Sequence, residues 1–465
     1  MTAIHWFRRD LRLNDNLALQ AALDSGEAVI PLFIFDDAVL KSKRSGASRM
    51  AFLLKALASL DESLRAYGAH LVIRRGDPYE VLAKIIAETG ACKLYFNRDY
   101  TPFARRRDDA IEESLRISIC NFDDEVLLAP GQVIKSDGSP FMVYTPFKKQ
   151  WKALPKPEKV IFQPGSFLAL ESQALPSLHE LGFAVTIDLP EASESAARRR
   201  LDAFIAAPIY TYAETRNNLT PDPFNDSRME TSCLSPYLRF GMLSPRQAYW
   251  AAREAYQRMD DPKKRDSVET WVDEIIWREF YVHVMAHFPH VDKSSFRPEY
   301  DRLEWRDAPD ELQAWKDGQT GYPVVDAAMR QLKAIGWLPN RARMIVASFL
   351  TKDLLIDWRE GERYFMQHLI DGDPAANNGG WQWTAGTGTD AQPYFRIFNP
   401  VSQSRKFDPD GHYIRRWIPE LADVPDAFIH MPWEMDNPPQ QYPPPMIDHE
   451  FARERTLAAF NVLKQ

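Results

Sequence analysis

Cysteine is scarce. Three residues, Cys92, Cys120 and Cys233, are spread over 465 positions, with neither an even count nor the spacing of a metal-binding pair. That argues against a disulfide scaffold or a cysteine zinc site, and it suits a reducing, cytoplasmic setting. Long apolar runs are missing as well. None approaches the ~18 residues of a membrane span, and the opening MTAIHWFRRDLRLND lacks the apolar stretch of a secretory signal. Positive charge is not in excess: 57 Lys and Arg stand against 65 Asp and Glu, a net charge of −8. A nucleic-acid surface would therefore be a local basic patch on an acidic molecule. No G-x-G-x-x-G or Walker pattern follows the first apolar run, where the chain reads Arg8-Arg9-Asp10-Leu11-Arg12, which excludes a standard nucleotide-phosphate loop there. His283 and His287 stand four apart without the glutamate of a zinc-protease helix. They are read as core or rim residues, and no metal site is expected. Neither a Ser-His-Asp nor a Cys-His pattern is evident, and internal repeats are absent.

What is present organises the chain in three parts. Hydrophobic residues make up 45%, enough for a large core. Over residues 1–128, short apolar runs at 4–7, 29–35, 70–74, 93–96 and 117–122 read as strands. Helical patterns at 16–25, 47–67, 78–88 and 102–116 alternate with them. This alternation predicts an α/β, doubly wound parallel-sheet domain whose ligands sit beyond the carboxyl ends of the strands. Between 129 and 195, prolines such as Pro130, Pro140, Pro146, Pro155, Pro164, Pro176 and Pro190 predict a long irregular linker. From 196 to 465 helical periodicity dominates, clearest at 267–287, 322–335, 341–355 and 360–369, with a short final helix near 449–463. An all-α domain is expected there.

Four stretches of the helical part carry unusual chemistry. In WREGERYFMQHLIDGDPAANNGGWQWTAGTGTDAQPYFRIFNP (358–400), short polar groups sit beside large flat rings. Asp371, Asp373, Asn377 and Asn378 precede Trp381 and Trp383, and Gly386 and Gly388 would let backbone approach a ligand. Such a mixture predicts a pocket for a planar ligand with polar edges. On the helix expected over 267–287, Trp271, Glu274, Trp277, Arg278 and Tyr281 share one face. Burying its carboxylate and guanidinium unpaired would be costly, so the face reads either as a functional cleft or as a rim with an ordinary Glu274–Arg278 pair. Asn340, Arg343 and Met344 point together from a helix that Pro339 can open. Thr231, Ser232 and Ser235 cluster hydroxyls just before Pro236, where a helix start would suit a phosphate.

Six blocks then carry a resemblance that covers nearly the whole chain: HWFRRDLRLNDNLAL (5–19), TSCLSPYLRFGMLSPRQ (231–247), WVDEIIWREFY (271–281), GYPVVDAAMRQL (321–332), WLPNRARMIVASFLTKDLLIDWREGERYF (337–365) and DGDPAANNGGWQWTAGTGTDAQPYFRIFNP (371–400). The sequence resembles the photolyase/cryptochrome family, and within it the class I cyclobutane pyrimidine dimer DNA photolyases. The resemblance implies an antenna domain, a linker and a helical FAD domain. It also implies a carbon–carbon lyase that repairs cyclobutane pyrimidine dimers in DNA by light-driven electron transfer from excited reduced FAD. Tyr212, Thr231, Ser232, Leu234, Ser235, Trp271, Arg278, Asn340, Arg343, Asp371, Asp373 and Asn377 match flavin-binding positions. Asn377 falls where the family places a neutral amide near flavin N5, which suits an anionic reduced flavin better than a second negative charge would. A segment at 220–228 departs from many relatives as an apparent insertion, which bears on Tyr212.

By the same resemblance, Glu274, Trp277, Asn340, Met344 and Trp383 form the lesion pocket, with the dimer flipped out of the duplex between Trp277 and Trp383. Trp305, Trp358 and Trp381 match a tryptophan chain leading electrons to oxidised flavin. Arg216, Arg341, Arg396, Arg405 and Lys406 are the expected phosphate contacts. In the antenna domain, Phe103 and Ala104 stand where folate-binding relatives carry Asn-Glu, so methenyltetrahydrofolate is disfavoured. An 8-hydroxy-5-deazaflavin or FMN near Phe35, Asp36 and Arg49 is expected, or no second chromophore. The alternatives are a (6-4) photoproduct repair enzyme, which would want a histidine beside Asn340 and Met344, and a cryptochrome-like photoreceptor, which would want a long carboxyl-terminal extension. A monomer, nucleoid-associated when bound to DNA, is expected.

Overall fold

The computed structural model describes residues 1–185, 187–219, 222–225 and 229–463. Its amino-terminal part is a sheet of strands β1 (Thr2–Phe7), β2 (Ala28–Asp36), β3 (Val72–Gly76), β4 (Lys93–Asn97) and β5 (Ser118–Phe122). Their spatial order is β3-β2-β1-β4-β5, and every neighbouring pair is parallel. Parallel neighbours need crossovers, which the helices Leu17–Asp24, Ala47–Arg65, Pro78–Thr89 and Pro102–Ser114 supply. Side chains alternate between two buried faces. Ile4, Trp6, Ile30, Leu32 and Ile34 pack with Leu82, Ile85 and Ile111 on one face. Ala3, Phe7, Val29, Phe33 and Phe35 face the other way. Burial on both faces is why these strands read as nearly continuous apolar runs. The strand expected over 70–74 forms two residues later.

The second face shares its core with the helical half: the apolar cluster continues through Phe52 and Tyr237 to Trp271 and Phe280. Over 129–195 the chain is mostly irregular, but one helix, Tyr144–Ala153, was not anticipated. Pro146 hides it from a reading of breakers, although it sits in the first turn, where a missing N–H breaks no bond. Further on, the connection runs along the sheet. The N–H of Val29 donates to the Ser166 carbonyl at 2.9 Å, and the Leu168 N–H donates back to Val29 at 2.9 Å.

In the helical half, aspartates start the helices that matter. Asp261 caps Pro262–His287, Asp357 caps Trp358–His368, Asp373 caps Pro374–Ala385 and Asp448 caps His449–Val462. Each side chain satisfies first-turn N–H groups that have no partner within the helix. The single helix expected over 341–355 is broken: Asn340–Ser348 runs into a π-helical turn at Phe349–Asp353, and Leu355 ends it at φ 53°. The first core includes Trp271 and Phe280. A second core gathers Trp315, Phe349, Trp358, Phe365 and Trp381. The two cores meet along a seam between the helices Pro262–His287 and Pro374–Ala385. Among the described residues, no helix is long and apolar enough to cross a membrane. The apparent insertion at 220–228 lies partly outside the described residues.

Candidate active site

A cavity of about 480 Å³ opens on that seam. The helix Pro262–His287 contributes Glu274, Trp277, Arg278 and Tyr281, and the helix Asn340–Ser348 contributes Asn340, Arg341, Arg343 and Met344. From the helix Pro374–Ala385 and its approach come Asp371, Asp373, Asn377, Trp381 and Trp383. Tyr212, Arg216, Thr231 and Ser235 add to the wall. Gly379 makes the helix crossing possible, because a Cβ there would meet the Tyr281 ring at 2.1 Å. In the same way Gly361 leaves room for the Trp381 indole, which a Cβ would meet at 2.1 Å.

One group of lining residues carries opposed charges. Arg343 Nη2 and Asp371 Oδ2 are 2.7 Å apart, and Ser235 Oγ donates to the same oxygen at 2.6 Å. Asp371 Oδ1 is buried without a hydrogen-bond partner among the described residues. An orphaned carboxylate oxygen in a cavity is costly unless a ligand donates to it. Asp373 does two jobs: one oxygen caps Ala375 and Ala376 N–H groups at 3.0 and 3.1 Å, and the other pairs with Arg9 from the end of β1. Burial pushes its carboxyl up, but Arg9, Arg239 and Arg278 outweigh that and hold it at about 2. The Asn377 side-chain N–H group donates to the Glu362 carbonyl at 3.0 Å and to its carboxylate at 3.2 Å. The amide oxygen is the group that Glu362 does not engage.

The aromatic lining is flanked by a second ion pair. Trp277 and Trp383 are both half-buried. Glu274 pairs with Arg216, and Arg278 donates to the Glu125 carbonyl at 2.6 Å. The simple Glu274–Arg278 pair is therefore not made: each finds a partner from another segment. Burial raises the Glu274 carboxyl, with Arg216 pulling the other way. Gly386 and Gly388 do not approach the cavity, contrary to expectation. Gly386 ends the helix at φ 80°, and Gly388 packs on Gln382, where a Cβ would lie 2.9 Å away.

Apart from Trp381 and Arg341, which line the cavity, the remaining expected residues stand behind or beside it. Trp271 Nε1 donates to Ser232 Oγ at 3.3 Å. Both are buried, as is Leu234, and none of the three lines the cavity. The short helix Ser235–Arg239 follows them. Trp381 and Trp358 are buried and Trp305 is half-exposed, all in the second core. Trp315 lies 6.1 Å from Trp381, centroid to centroid, and gave no signal in sequence because one more tryptophan in an apolar stretch reads as core. Arg341 donates to Asn217 Oδ1 at 2.7 Å. Arg396, Arg405 and Lys406 are exposed. The rings of His283, which is buried, and His287, which is half-buried, lie 4.5 Å apart and tilted by 58°, and burial lowers His283 to about 4. Among the described residues, no cluster of His, Cys, Asp and Glu is arranged to hold a metal ion.

A second cavity of about 410 Å³ lies beyond the carboxyl ends of β1 and β2, lined by Arg8, Phe35, Asp36, Phe103 and Arg107, where parallel sheets place ligands. Arg49 lines it too, but its guanidinium is turned to backbone. It donates to the carbonyls of Met366, of Leu369 at 3.1 Å and of Arg44 at 2.6 Å. Asp36 Oδ1 caps the Ala38 N–H at 2.9 Å, and Oδ2 lies 3.5 Å from Arg107.

Comparison with known proteins gives this geometry a context. Residues 271–462 match the family described as the FAD binding domain of DNA photolyase, and residues 3–163 match the DNA photolyase family. The deoxyribodipyrimidine photo-lyase of Halobacterium salinarum is 42% identical, the match covering 98% of each chain. A bacterial class III photolyase from Agrobacterium tumefaciens superposes with a TM-score of 0.90 at 38% identity, over 100% of this chain and 98% of that one. An archaeal photolyase from Sulfolobus tokodaii, solved with two FAD molecules, gives 0.84 at 31% identity over 99% and 100%. The chain belongs to the DNA photolyase family.

Proposed function

We propose that this enzyme repairs cyclobutane pyrimidine dimers in DNA using light, with FAD held in the larger cavity. The observation that carries the reading is one cavity lined both by a charged set, Arg343, Asp371 and Asp373, and by two half-buried indoles, Trp277 and Trp383. The lining suits a flavin: Asp371 Oδ1 needs a donor, Arg343 balances charge beside it, and Asn377 offers a neutral amide. Arg278 and Asp373 would brace the cofactor, Thr231 and Ser235 would seat its phosphates, and Tyr212 would close that side. Ser232, Leu234 and Trp271 support this wall from behind.

The chemistry such a flavin supplies, when reduced and excited by light, is one electron passed to the dimer and recovered after the ring has split. The protein's own residues do the rest. Trp277 and Trp383 stack on the flipped dimer, worth about 1–3 kcal/mol per base. Glu274 hydrogen-bonds the base edge, and Asn340 and Met344 close the wall. Trp305, Trp358 and Trp381, running from half-exposed to buried, form a path for reducing oxidised flavin. Arg216, Arg341, Arg396, Arg405 and Lys406 meet phosphates around the mouth. The smaller cavity would take a flat second chromophore of the flavin or deazaflavin kind, against Phe35 and beside Asp36.

The test is illumination of the purified, reduced protein with ultraviolet-treated oligo(dT). Blue or near-ultraviolet light should restore thymine absorbance near the unirradiated value, and an unchanged spectrum under light would refute the reading.

A further inference from the structure

Trp277 does not stand free at the cavity. The Tyr144 ring lies flat against it, with centroids 3.5 Å apart and planes within 7°. Tyr144 comes from the helix Tyr144–Ala153 in the connection between the two halves, more than a hundred residues from Trp277. Its hydroxyl donates to the Asp273 carbonyl at 3.0 Å, on the same helix as Trp277. Its backbone N–H donates to Asp390 Oδ2 at 3.0 Å. Asp390 holds the left-handed backbone at φ 45°, a conformation Asp tolerates better than most residues. Next to it, Thr389 Oγ1 donates to the Met142 carbonyl. Asp390 and Thr389 belong to the loop that leaves the helix bearing Trp383. One short segment therefore stacks on one aromatic wall and ties down the loop that follows the other.

A parallel stack has an orientation requirement that simple apolar packing lacks. With one indole face covered by Tyr144, Phe280 packed edge-on at 5.8 Å and Tyr281 tilted beside it at 5.7 Å, turning the ring would give up the stack. We propose that Tyr144 is a positioning residue for lesion recognition: it fixes the plane of Trp277 and, through Asp390 and Thr389, the gap between Trp277 and Trp383. This rests on the reading of those two rings as the walls around a flipped dimer.

The test compares Tyr144→Ala, Tyr144→Phe and Trp277→Phe in the flavin-loaded protein. Two readouts apply: near-ultraviolet circular dichroism without DNA, and affinity for one oligonucleotide with and without a dimer. Tyr144→Ala should remove the ellipticity that Trp277→Phe also removes. It should weaken dimer binding roughly three- to tenfold and leave affinity for undamaged DNA and flavin content unchanged, with repair recovered at saturating substrate. Tyr144→Phe keeps the ring and should stay within about twofold of the parent protein. Asp390→Ala, which removes the tie to the Tyr144 N–H, should weaken dimer binding in the same direction and serves where Tyr144→Ala does not fold. Unchanged dimer affinity in both Tyr144→Ala and Asp390→Ala overturns the proposal. So does an equal loss for damaged and undamaged DNA, or a Tyr144→Phe defect as large as that of Tyr144→Ala. If the unmutated protein shows no preference for the dimer, the functional reading itself falls, an outcome told apart because positioning failures leave that preference intact.

Discussion

Glu274 is an acid kept where its charge is disfavoured. Burial raises its carboxyl, and Arg216 offsets part of that cost. A structural ion pair would survive an amide as a weaker hydrogen bond, whereas a carboxylate that must hold a base edge would not. Glu274→Gln is therefore expected to lower the light-driven repair yield about tenfold, the loss of one hydrogen bond to a charged group, while flavin absorbance and thermal stability stay close to the parent. Release of flavin by that variant would mean that Glu274 supports the cofactor instead. The residues of this cavity were legible in the sequence where they recur along one helix face, as Glu274, Trp277 and Arg278 do. Their partners were not. Arg216 and Glu125 lie on other segments, and no spacing rule links residues that meet only through tertiary packing. Tyr144 was hidden twice, by distance in the chain and by the proline two residues beyond it.

Among the elements, the π-helical turn Phe349–Asp353 shows a different limit of sequence. Its apolar period continues that of the preceding helix, so the extra residue in the turn leaves no mark in the pattern. The turn buries Lys352 completely. Its ammonium donates to the Ala385 carbonyl at 2.6 Å and lies 4.0 Å from the Phe460 ring of the final helix, and among the described residues no carboxylate pairs with it. Burial accordingly lowers its pKa to about 7. A lysine whose folded value is depressed holds fewer protons than the unfolded chain between about 7 and 10.5, so folding gains stability as pH rises through that window. Lys352→Met removes this dependence. The variant should be more stable than the parent near pH 7, and its advantage should shrink by roughly 1 kcal/mol per pH unit as pH is raised to 9. Thermal unfolding of both proteins across that range checks it, and parallel curves would show that Lys352 stays charged in the fold. The five strands and their crossover helices, in contrast, were legible because burial on both faces leaves plain apolar runs punctuated by caps.

For the whole molecule, what had to be learned from the structure is how its two halves meet. Either half could be recognised from its own pattern, α/β or all-α, yet Arg9 and Asp373 are joined across 364 positions of chain. In sequence Arg9 was only part of a turn without a phosphate loop. In the fold it lies 3.3 Å from Asp99 and 3.0 Å from Glu125 and pairs with Asp373. Burial works against its charge, but those three carboxylates keep it protonated. Arg9 thus neutralises acids from the sheet side and from the helix that carries Trp381 and Trp383. Removing it leaves these acids short of their shared cation, and breaking a buried ion pair typically costs about 3–5 kcal/mol; the helix cap supplied by Asp373 also loses its brace. Arg9→Met should therefore unfold at a lower temperature and retain less flavin after gel filtration, although residue 9 belongs to the strand domain. Because Asp373 is held at about 2, against an ordinary value of 3.8, its stabilising contribution is complete above the ordinary value and fades as pH falls through the lower one. The stability gap between parent and variant should then be widest near neutrality and narrow on acidification below about pH 4. A variant that keeps its flavin and shows no such gap would mean that the apolar core shared by the two halves, and not this ionic junction, holds the cofactor domain against the sheet.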